Sequence, residues 1–534
     1  MSRQSKVIYL IFVFVLAFFT GPLARSETAS LHDIPAAFCP NSVRLDSTFA
    51  KSFHLGERIV GTYYFYWYDA PSKRHVVNPG SNTDALTDHP PTLDGFSWKS
   101  VAWHKKQLSD MEDAGIDMAL MVFWGGPSEH DPGSPKHWSY DGLQPLIAAR
   151  EELLREGRHP PLIGLFYDTS TLKDNLWGEH VDMTTERGKQ WFYATVRDFF
   201  SCIPPRHWAM IDGSPVVFLY VAGFAKDYDQ SFVDYTKRNF ANDFGGHVPY
   251  IATDYTWLKH QAKGDNFVIW GGALGLKRAG ISELGPGYDQ SAAVNRKRLI
   301  VPRDDGKFYE ENWRLFLRRP TPIVMIETWN EFHEGTDICE SREYGRKYIE
   351  LTRKYVALFK QDKQENQSRG KYADAGNVEI VLGEHPAEDG LKLIQSGDGV
   401  TMPVRANGFD AVRLANSSSS FIYFGVDESF KWSNAMDLRL IVEYFDASPG
   451  TFTVQFDGND HSAPFFGAYT PTGQIVRLTG TRSWRRAEFD LRRARMWNLE
   501  NADADFRLVV RAPELAVHSV SLIARDKGLD QFRN

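Results

Sequence analysis

Ile323-Val-Met-Ile-Glu-Thr-Trp-Asn-Glu-Phe-His-Glu334 begins as an apolar, strand-like run and ends abruptly in Asn330, Glu331, His333 and Glu334. A buried strand does not finish in four polar or ionisable side chains by default, because each needs a partner or water. Glu331 and Glu334, three residues apart just past a strand, are the raw material of paired acid/base chemistry.

Upstream, short apolar runs alternate with amphipathic stretches. The pattern predicts strands over 59–68, 118–124, 162–167, 216–220, 250–253, 267–270, 281–284 and 323–328. Helices are predicted over 101–114, 143–156, 186–201, 232–244, 309–317 and 344–360. A short helical piece is expected over 274–279, between the sixth and seventh strands. In the first helix Val101, Leu108, Met111 and Ala114 form a one-sided stripe, and Gly115 supplies the stop. Eight strands with helices between them fit a (β/α)₈ TIM barrel. An open doubly wound sheet would want a Gly-rich phosphate turn after the first strand, where this chain has Tyr66-Trp-Tyr-Asp69.

In barrels, chemistry gathers at the C-terminal ends of strands. Those ends here carry Tyr68 and Asp69, Trp124, Tyr167 and Asp168, Tyr220, Asp254, Trp270, Tyr288, and finally Glu331 and Glu334. Aromatic and acidic residues recurring on one rim suit a carbohydrate cleft, since Trp and Tyr offer a flat apolar face with a polar edge.

Helical character ends near Lys360, and the polar, Gln-rich residues 361–376 read as a linker. Beyond it the period changes to two, with strands expected at 421–426, 438–444, 452–456, 506–511 and 517–523. Residues 377–534 therefore read as an all-β sandwich, jelly-roll-like, resembling carbohydrate-binding modules in general shape. The arginines at 482, 485, 486, 492, 493 and 495 read as a solvated strand face.

The 534 residues exceed one ordinary core, and a mean hydropathy of −0.39 is that of a globular protein. A net charge of −7 gives no footing for sequence-independent nucleic-acid binding. Arg3 and Lys6 before the apolar run Val7 to Phe19, then small residues at Ala24 and Ser26, read as an export signal over residues 1–26. A secreted, periplasmic or extracellular monomer is the expectation, without membrane attachment beyond the signal. The three cysteines, Cys39, Cys202 and Cys339, can make at most one bridge, and no spacing resembles a zinc site. No cofactor is expected. Glu331, His333, Glu334 and Asp337 could alternatively ligate a metal, or form a solvated acidic loop.

For glycoside cleavage, one carboxylic acid protonates the leaving oxygen while a second carboxylate acts as nucleophile or base. Retaining enzymes place these groups ~5–5.5 Å apart, so the close sequence spacing leans toward retention. The residues Thr328-Trp-Asn-Glu-Phe-His-Glu-Gly-Thr336 resemble the strand-eight signature of glycoside hydrolase family 99, the endo-α-mannosidases and endo-α-mannanases. Gly285-Pro-Gly-Tyr288, Gly306-Lys-Phe-Tyr-Glu310 and Tyr64-Phe-Tyr-Trp-Tyr68 resemble other blocks of the same family, and the secreted domain of unknown function 5010 family is similar too. The resemblance covers about residues 55–360 and implies a catalytic domain over 27–360 that acts on α-linked, mannan-type glycans, endo-acting and retaining. By the same resemblance, Glu331 is the base that deprotonates the sugar 2-hydroxyl, giving a 1,2-anhydro intermediate, and Glu334 is the acid/base. Tyr68, His89, Trp124, Asp168, Tyr220, Tyr288 and Asn330 would contact substrate. The chain departs from the family at Phe332, where Trp is common, at Tyr167-Asp168, where a glutamate is usual, and at Asp88-His89-Pro-Pro in the first loop. A non-catalytic glycan-binding protein on a hydrolase barrel is the alternative.

Overall fold

The computed structural model describes residues 32–39, 49–294, 298–362, 370–460, 462–525 and 527. The chain divides into two compact units, the first running to Glu365 and the second from Asn366. Residues 1–26, on which the export expectation falls, and the middle of the Gln-rich segment lie outside the described residues. Among the described residues no helix is long and apolar enough to cross a membrane.

The first unit is a nearly closed (β/α)₈ barrel. Its strands are β1 (Ile59–Tyr64), β2 (Met118–Phe123), β3 (Leu162–Tyr167), β4 (Ser214–Leu219), β5 (Tyr250–Asp254), β6 (Asn266–Val268), β7 (Ser282–Leu284) and β8 (Ile323–Ile326). They pair in parallel in the order β6-β5-β4-β3-β2-β1-β8-β7. Helices α1 (Val101–Ala114), α2 (Leu143–Arg155), α3 (Glu186–Cys202), α4 (Ser231–Asp243), α5 (Lys307–Arg318) and α6 (Lys347–Lys360) accompany them. A strand covered on both faces can be apolar throughout, which is why β8 reads Ile-Val-Met-Ile and is buried along its length. Local signals set α1: Ser100 Oγ accepts the Trp103 N–H, and Gly115 takes the left-handed conformation at φ 85°.

Rings fill the barrel interior. Tyr63, Phe166 and Phe218 meet pairwise at 5.0–5.3 Å between centroids, in tilted and edge-to-face contacts. Such pairs contribute ~0.5–1.5 kcal/mol each beyond the area they bury.

The helix expected over 274–279 is absent. A single 3₁₀ turn, Gly272–Leu274, replaces it, because Gly271, Gly272 and Gly275 weaken any helix there and Gly271 sits at φ 116°. The barrel has its seam at this place. Among the described residues β6 and β7 do not pair as strands, and one backbone bond, Ile281 N–H to the Phe267 carbonyl at 3.0 Å, crosses between them.

The second unit consists of two antiparallel sheets. In one, Leu391–Ile394, Phe421–Val426, Phe506–Arg511, Pro449–Phe456 and Thr470–Thr479 pair in that order. In the other, Met436–Phe445 lies between Ala516–Ala524 and Trp484–Ala494. Arg482, Arg485, Arg486, Arg492 and Arg493 are exposed, as a solvated face requires. Arg495 differs: it is buried, and its Nε and Nη2 donate to Asp457 Oδ1 at 3.1 and 2.9 Å.

Candidate active site

Past β8 the chain makes a loop that closes on itself. Thr328 N–H donates to the Thr336 carbonyl at 2.9 Å, and their hydroxyls meet at 3.0 Å. Glu331 N–H donates to Thr328 Oγ1 at 2.9 Å, and Thr336 N–H donates to the Glu331 carbonyl at 3.3 Å. Glu331 and Glu334 are thus presented by one turn, tied at its base.

The turn is also bolted to β1 and its continuation. The Asn330 side chain accepts the Phe65 N–H and donates to the Phe65 carbonyl, both at 2.8 Å. The Tyr68 hydroxyl donates to the Asn330 carbonyl at 3.1 Å and accepts the Phe332 N–H at 3.0 Å. Burial, then the nearby Glu331 carboxylate, pushes the Tyr68 hydroxyl well above its usual range, so it stays a neutral donor. Both residues are fully buried. The geometry gives Tyr68 and Asn330 to loop support in place of the sugar contact expected of them, because their polar atoms are spent on backbone. His89 likewise has both ring nitrogens engaged, by Glu343 at 2.8 Å and Asp84 at 2.9 Å. Burial opposes the charged ring, but those two carboxylates raise its pKa, and His89 acts as a strut between loops.

The two glutamates face different neighbours. Glu331 is buried, and its Oε1 lies 2.6 Å from His333 Nδ1 while accepting the His333 N–H at 3.1 Å. His333 Nε2 donates to the His75 carbonyl at 2.9 Å. Glu334 is half-exposed. Burial, then the Glu334 and Asp168 carboxylates, push the Tyr220 hydroxyl well up, so a neutral phenol stands within electrostatic reach of Glu334. The Glu334 carbonyl accepts the Asp289 N–H at 2.8 Å, which brings neighbouring Tyr288 to the same edge.

Trp124, Tyr220, Trp270, Tyr288, His333 and Glu334 are the half-exposed residues of this rim. Trp124 Nε1 donates to Asp168 Oδ2 at 2.5 Å, and the ring meets Trp67 edge-on at 5.1 Å. Burial raises the Asp168 pKa against the pull of its donors Ser170 and Trp124. Asp168 is therefore a buried support for an aromatic face. Trp270 closes the opposite side, 5.1 Å from Tyr220 and 5.0 Å from Tyr63. Such a surface, apolar faces between carboxylates, can stack sugar rings and exchange protons beside them. Asp337 is not part of it: the Arg303 guanidinium donates to Asp337 Oδ1 at 3.0 Å and to Asp88 at 2.8 Å. Among the described residues no three His, Cys, Asp or Glu side chains are grouped to hold a metal ion.

Two functional-looking residues escaped the sequence reading. Glu283, within β7, and Glu327, just past β8, are both buried, with their carboxyl groups within hydrogen-bonding reach of each other. A lone glutamate inside an apolar run carries no signal of its partner on another strand.

These features define a class, a parallel (β/α)₈ barrel that collects carboxylates and aromatic rings at the C-terminal mouth of its strands. The chain belongs to the family described as domain of unknown function (DUF5010), whose pattern matches residues 43–367. A search of curated proteins gives no match. Among solved structures, the GH99 endo-alpha-mannosidase from Bacteroides thetaiotaomicron is similar at 16% identity over 57% of this chain and 98% of that one, with a TM-score of 0.40. The maltogenic alpha-amylase AmyB from Thermotoga neapolitana is similar at 10% identity over 85% of this chain and 99% of its own, with a TM-score of 0.32. The C-terminal CBM6 of the Zobellia galactanivorans laminarinase LamC is similar at 10% identity over 28% of this chain and 98% of its own, with a TM-score of 0.17.

Proposed function

We propose that this protein is an exported, endo-acting, retaining glycoside hydrolase of α-linked, mannan-type glycans. The observation that carries the reading is the single braced turn that sets Glu331 and Glu334 on a rim of half-exposed aromatic rings. Glu334, half-exposed, is the acid that protonates the leaving glycosidic oxygen. Glu331 is the base that takes the 2-hydroxyl proton as O2 closes on C1 to form the 1,2-anhydro sugar. Water then opens that ring at C1, losing its proton to Glu334 while Glu331 returns the proton to O2, with net retention. Trp124, Tyr220, Trp270 and Tyr288 supply the faces against which sugar rings lie. The motif Thr328 to Thr336 supports the mannan class. The basic, then apolar, then small-residue pattern of residues 1–26 supports export.

A screen of the full-length protein on defined α-mannans and α-glucans, with product anomers followed by NMR from the first minutes, tests this reading. An α-anomer released from internal positions of an α-mannan is the expected result. Binding without cleavage would make the protein a glycan-binding barrel, and a β-anomer would replace retention by inversion.

A further inference from the structure

Glu283 and Glu327 come together in the barrel wall, at its seam: both bind the backbone of residues 271–273, and their carboxyl groups lie within hydrogen-bonding reach of each other. Glu283 Oε1 accepts the N–H groups of Gly271 and Gly272, both at 3.0 Å. Its Oε2 accepts the Tyr63 hydroxyl at 2.6 Å. Glu327 Oε2 accepts the Ala273 N–H at 2.9 Å. Residues 271–273 follow β6, whereas Glu283 is the middle residue of β7 and Glu327 follows β8. The two side chains therefore supply, across the gap between β6 and β7, hydrogen bonds that a strand ladder supplies elsewhere. The fit leaves no slack: a Cβ on Gly272 would lie 2.6 Å from the Leu284 nitrogen and 2.7 Å from Glu283 Cγ.

Two carboxylates cannot touch in a buried site with both ionised, and one shared proton resolves the conflict. The donor count says where the proton resides. Glu283 already receives three N–H or O–H donors and is the natural anion. Glu327 receives one, on Oε2, leaving its other oxygen to carry the hydrogen toward Glu283.

We propose that Glu283 and Glu327 form a proton-sharing clasp, O–H of Glu327 to carboxylate of Glu283, that closes the barrel seam and acts as a pair of positioning residues for the candidate active site. One end of the clasp holds residues 271–273, and with them Trp270. The other is Glu327 itself, the residue before the loop that carries Glu331 and Glu334. The positioning role rests on the hydrolase reading above; the shared proton does not.

Tyr63 from β1, Tyr220 after β4 and Glu334 from the loop after β8 act on the pair directly; Asp254 at the end of β5 acts on Tyr63 and Tyr220, and the Lys277 side chain lies beside Gly271. Burial pushes Glu283 up to about 7, and burial, then the Glu283 charge, raises Glu327 well above the usual carboxylate range. The sign of the linkage follows. An unfolded glutamate releases its proton near 4.5, so the stabilisation is complete below that pH and is lost as pH rises: the Glu283 part through about 7, above which Glu283 is the anion of the clasp, and the part held by the Glu327 proton as pH rises further through its own raised value.

The experiment uses the full-length protein and the variants Glu327→Gln, Glu327→Leu and Glu283→Gln. Thermal unfolding is followed across that pH window, with infrared detection of the protonated-carboxyl stretch in heavy water. The amide introduced by Glu327→Gln keeps a donor toward Glu283 and an acceptor toward Ala273. That variant should therefore hold wild-type melting near pH 5, where Glu327→Leu falls. It should also flatten the loss of melting temperature with rising pH and remove one protonated-carboxyl band. Glu283→Gln sets an amide N–H₂ against either Tyr63 O–H or the Gly271 and Gly272 N–H groups, and should melt lower at every pH. On a cleaved glycan, Glu327→Leu should lose about 10²-fold in kcat with KM little changed, and Glu327→Gln should recover most of that loss. Equal destabilisation by Glu327→Gln and Glu283→Gln, or an unchanged infrared band, overturns the shared proton. Full kcat in Glu327→Leu overturns the positioning role. A protein that cleaves no glycan, yet shows the melting and infrared results, would refute the hydrolase reading and the positioning role but leave the clasp intact.

Discussion

His333 stands between Glu331 and the backbone of His75, with Nδ1 2.6 Å from Glu331 Oε1 and Nε2 2.9 Å from the His75 carbonyl. Because Nε2 must donate to a carbonyl, the Nδ1 contact needs a second proton, carried either by the ring or by Glu331. The pair therefore holds a proton at the place where a base has to lose and regain one. His333→Ala should cost about 10²-fold in kcat by freeing Glu331 to rotate, while KM changes little. His333→Asn, whose amide nitrogen can reach toward Glu331, should recover part of it. Steady-state kinetics of both variants check this, and unchanged turnover in His333→Ala would make the contact incidental.

Tyr68 and Asn330 brace the loop, so their loss should register first as stability. Tyr68→Phe keeps the ring against Phe96, at 4.9 Å, but removes the hydroxyl bonded to both the Phe332 N–H and the Asn330 carbonyl, leaving those two only their mutual bond at 3.0 Å. A typical hydrogen bond contributes about 0.5–1.5 kcal/mol net, and denaturant unfolding should show a loss of one to two such bonds. Turnover should fall with it, because the same bonds hold the turn bearing Glu331. A stable variant with weakened substrate binding would return Tyr68 to the sugar-contacting role first expected of it.

What the sequence disclosed and what it hid follow one physical line. β3 and α1 have the predicted bounds, Leu162–Tyr167 and Val101–Ala114, because a buried apolar run, a serine cap and a terminal glycine are local signals. Glu331 and Glu334 stood out because ionisable residues at a strand end are conspicuous. Glu283 and Glu327 did not, since their partners come from another strand and from the backbone of a third segment. Asn330 and Tyr68 look like ligand groups in one dimension, and only the fold shows that the backbone of Phe65, Asn330 and Phe332 consumes them. In the sandwich, Thr470–Thr479 was missed because its residues are mostly polar and exposed, so alternation is masked.

Cys39 and Cys202 bear on export. Cys202 ends α3, and the segment carrying Cys39 lies along that helix: Arg197 donates to the Pro35 carbonyl at 2.9 Å, and the Phe38 ring packs 4.2 Å from Tyr140. The Cys39 thiol is within hydrogen-bonding distance of Cys202, and this contact, then burial, pushes the Cys202 thiol well up. Protein recovered from an oxidising compartment should carry a Cys39–Cys202 disulfide, formed through attack by the more accessible Cys39 on a disulfide oxidant. Alkylation under denaturing conditions should then find one thiol, Cys339, and Cys39→Ser should lower stability by about 2–5 kcal/mol. Three alkylated thiols in such material would exclude the bond.

Trp124 is half-exposed, and its indole N–H is tied to Asp168. Trp124→Ala should weaken oligosaccharide binding measurably by calorimetry, while stability falls by less than the roughly 3–5 kcal/mol typical of a fully buried Trp. Trp124→Phe should restore part of the binding, since an apolar face remains. A stability loss of the full buried size would assign Trp124 to the core.

The sharpest outcome concerns the glutamate pair. Gln preserves the shape of Glu and some of its hydrogen bonding but cannot exchange the proton. Acid/base groups contribute typically ~10²–10⁴-fold in rate, so Glu331→Gln and Glu334→Gln should each lose at least that much. Both variants should still bind an uncleaved oligosaccharide, because the aromatic rim is untouched. Their responses to leaving group should then separate the roles. Glu334→Gln should recover on an activated aryl glycoside, whose departing oxygen needs little protonation, whereas Glu331→Gln should not, because the 2-hydroxyl proton must still be removed. Recovery of Glu331→Gln instead would exchange the two assignments. Near wild-type turnover in either variant, on a glycan the native protein cleaves, would remove that residue from the chemistry.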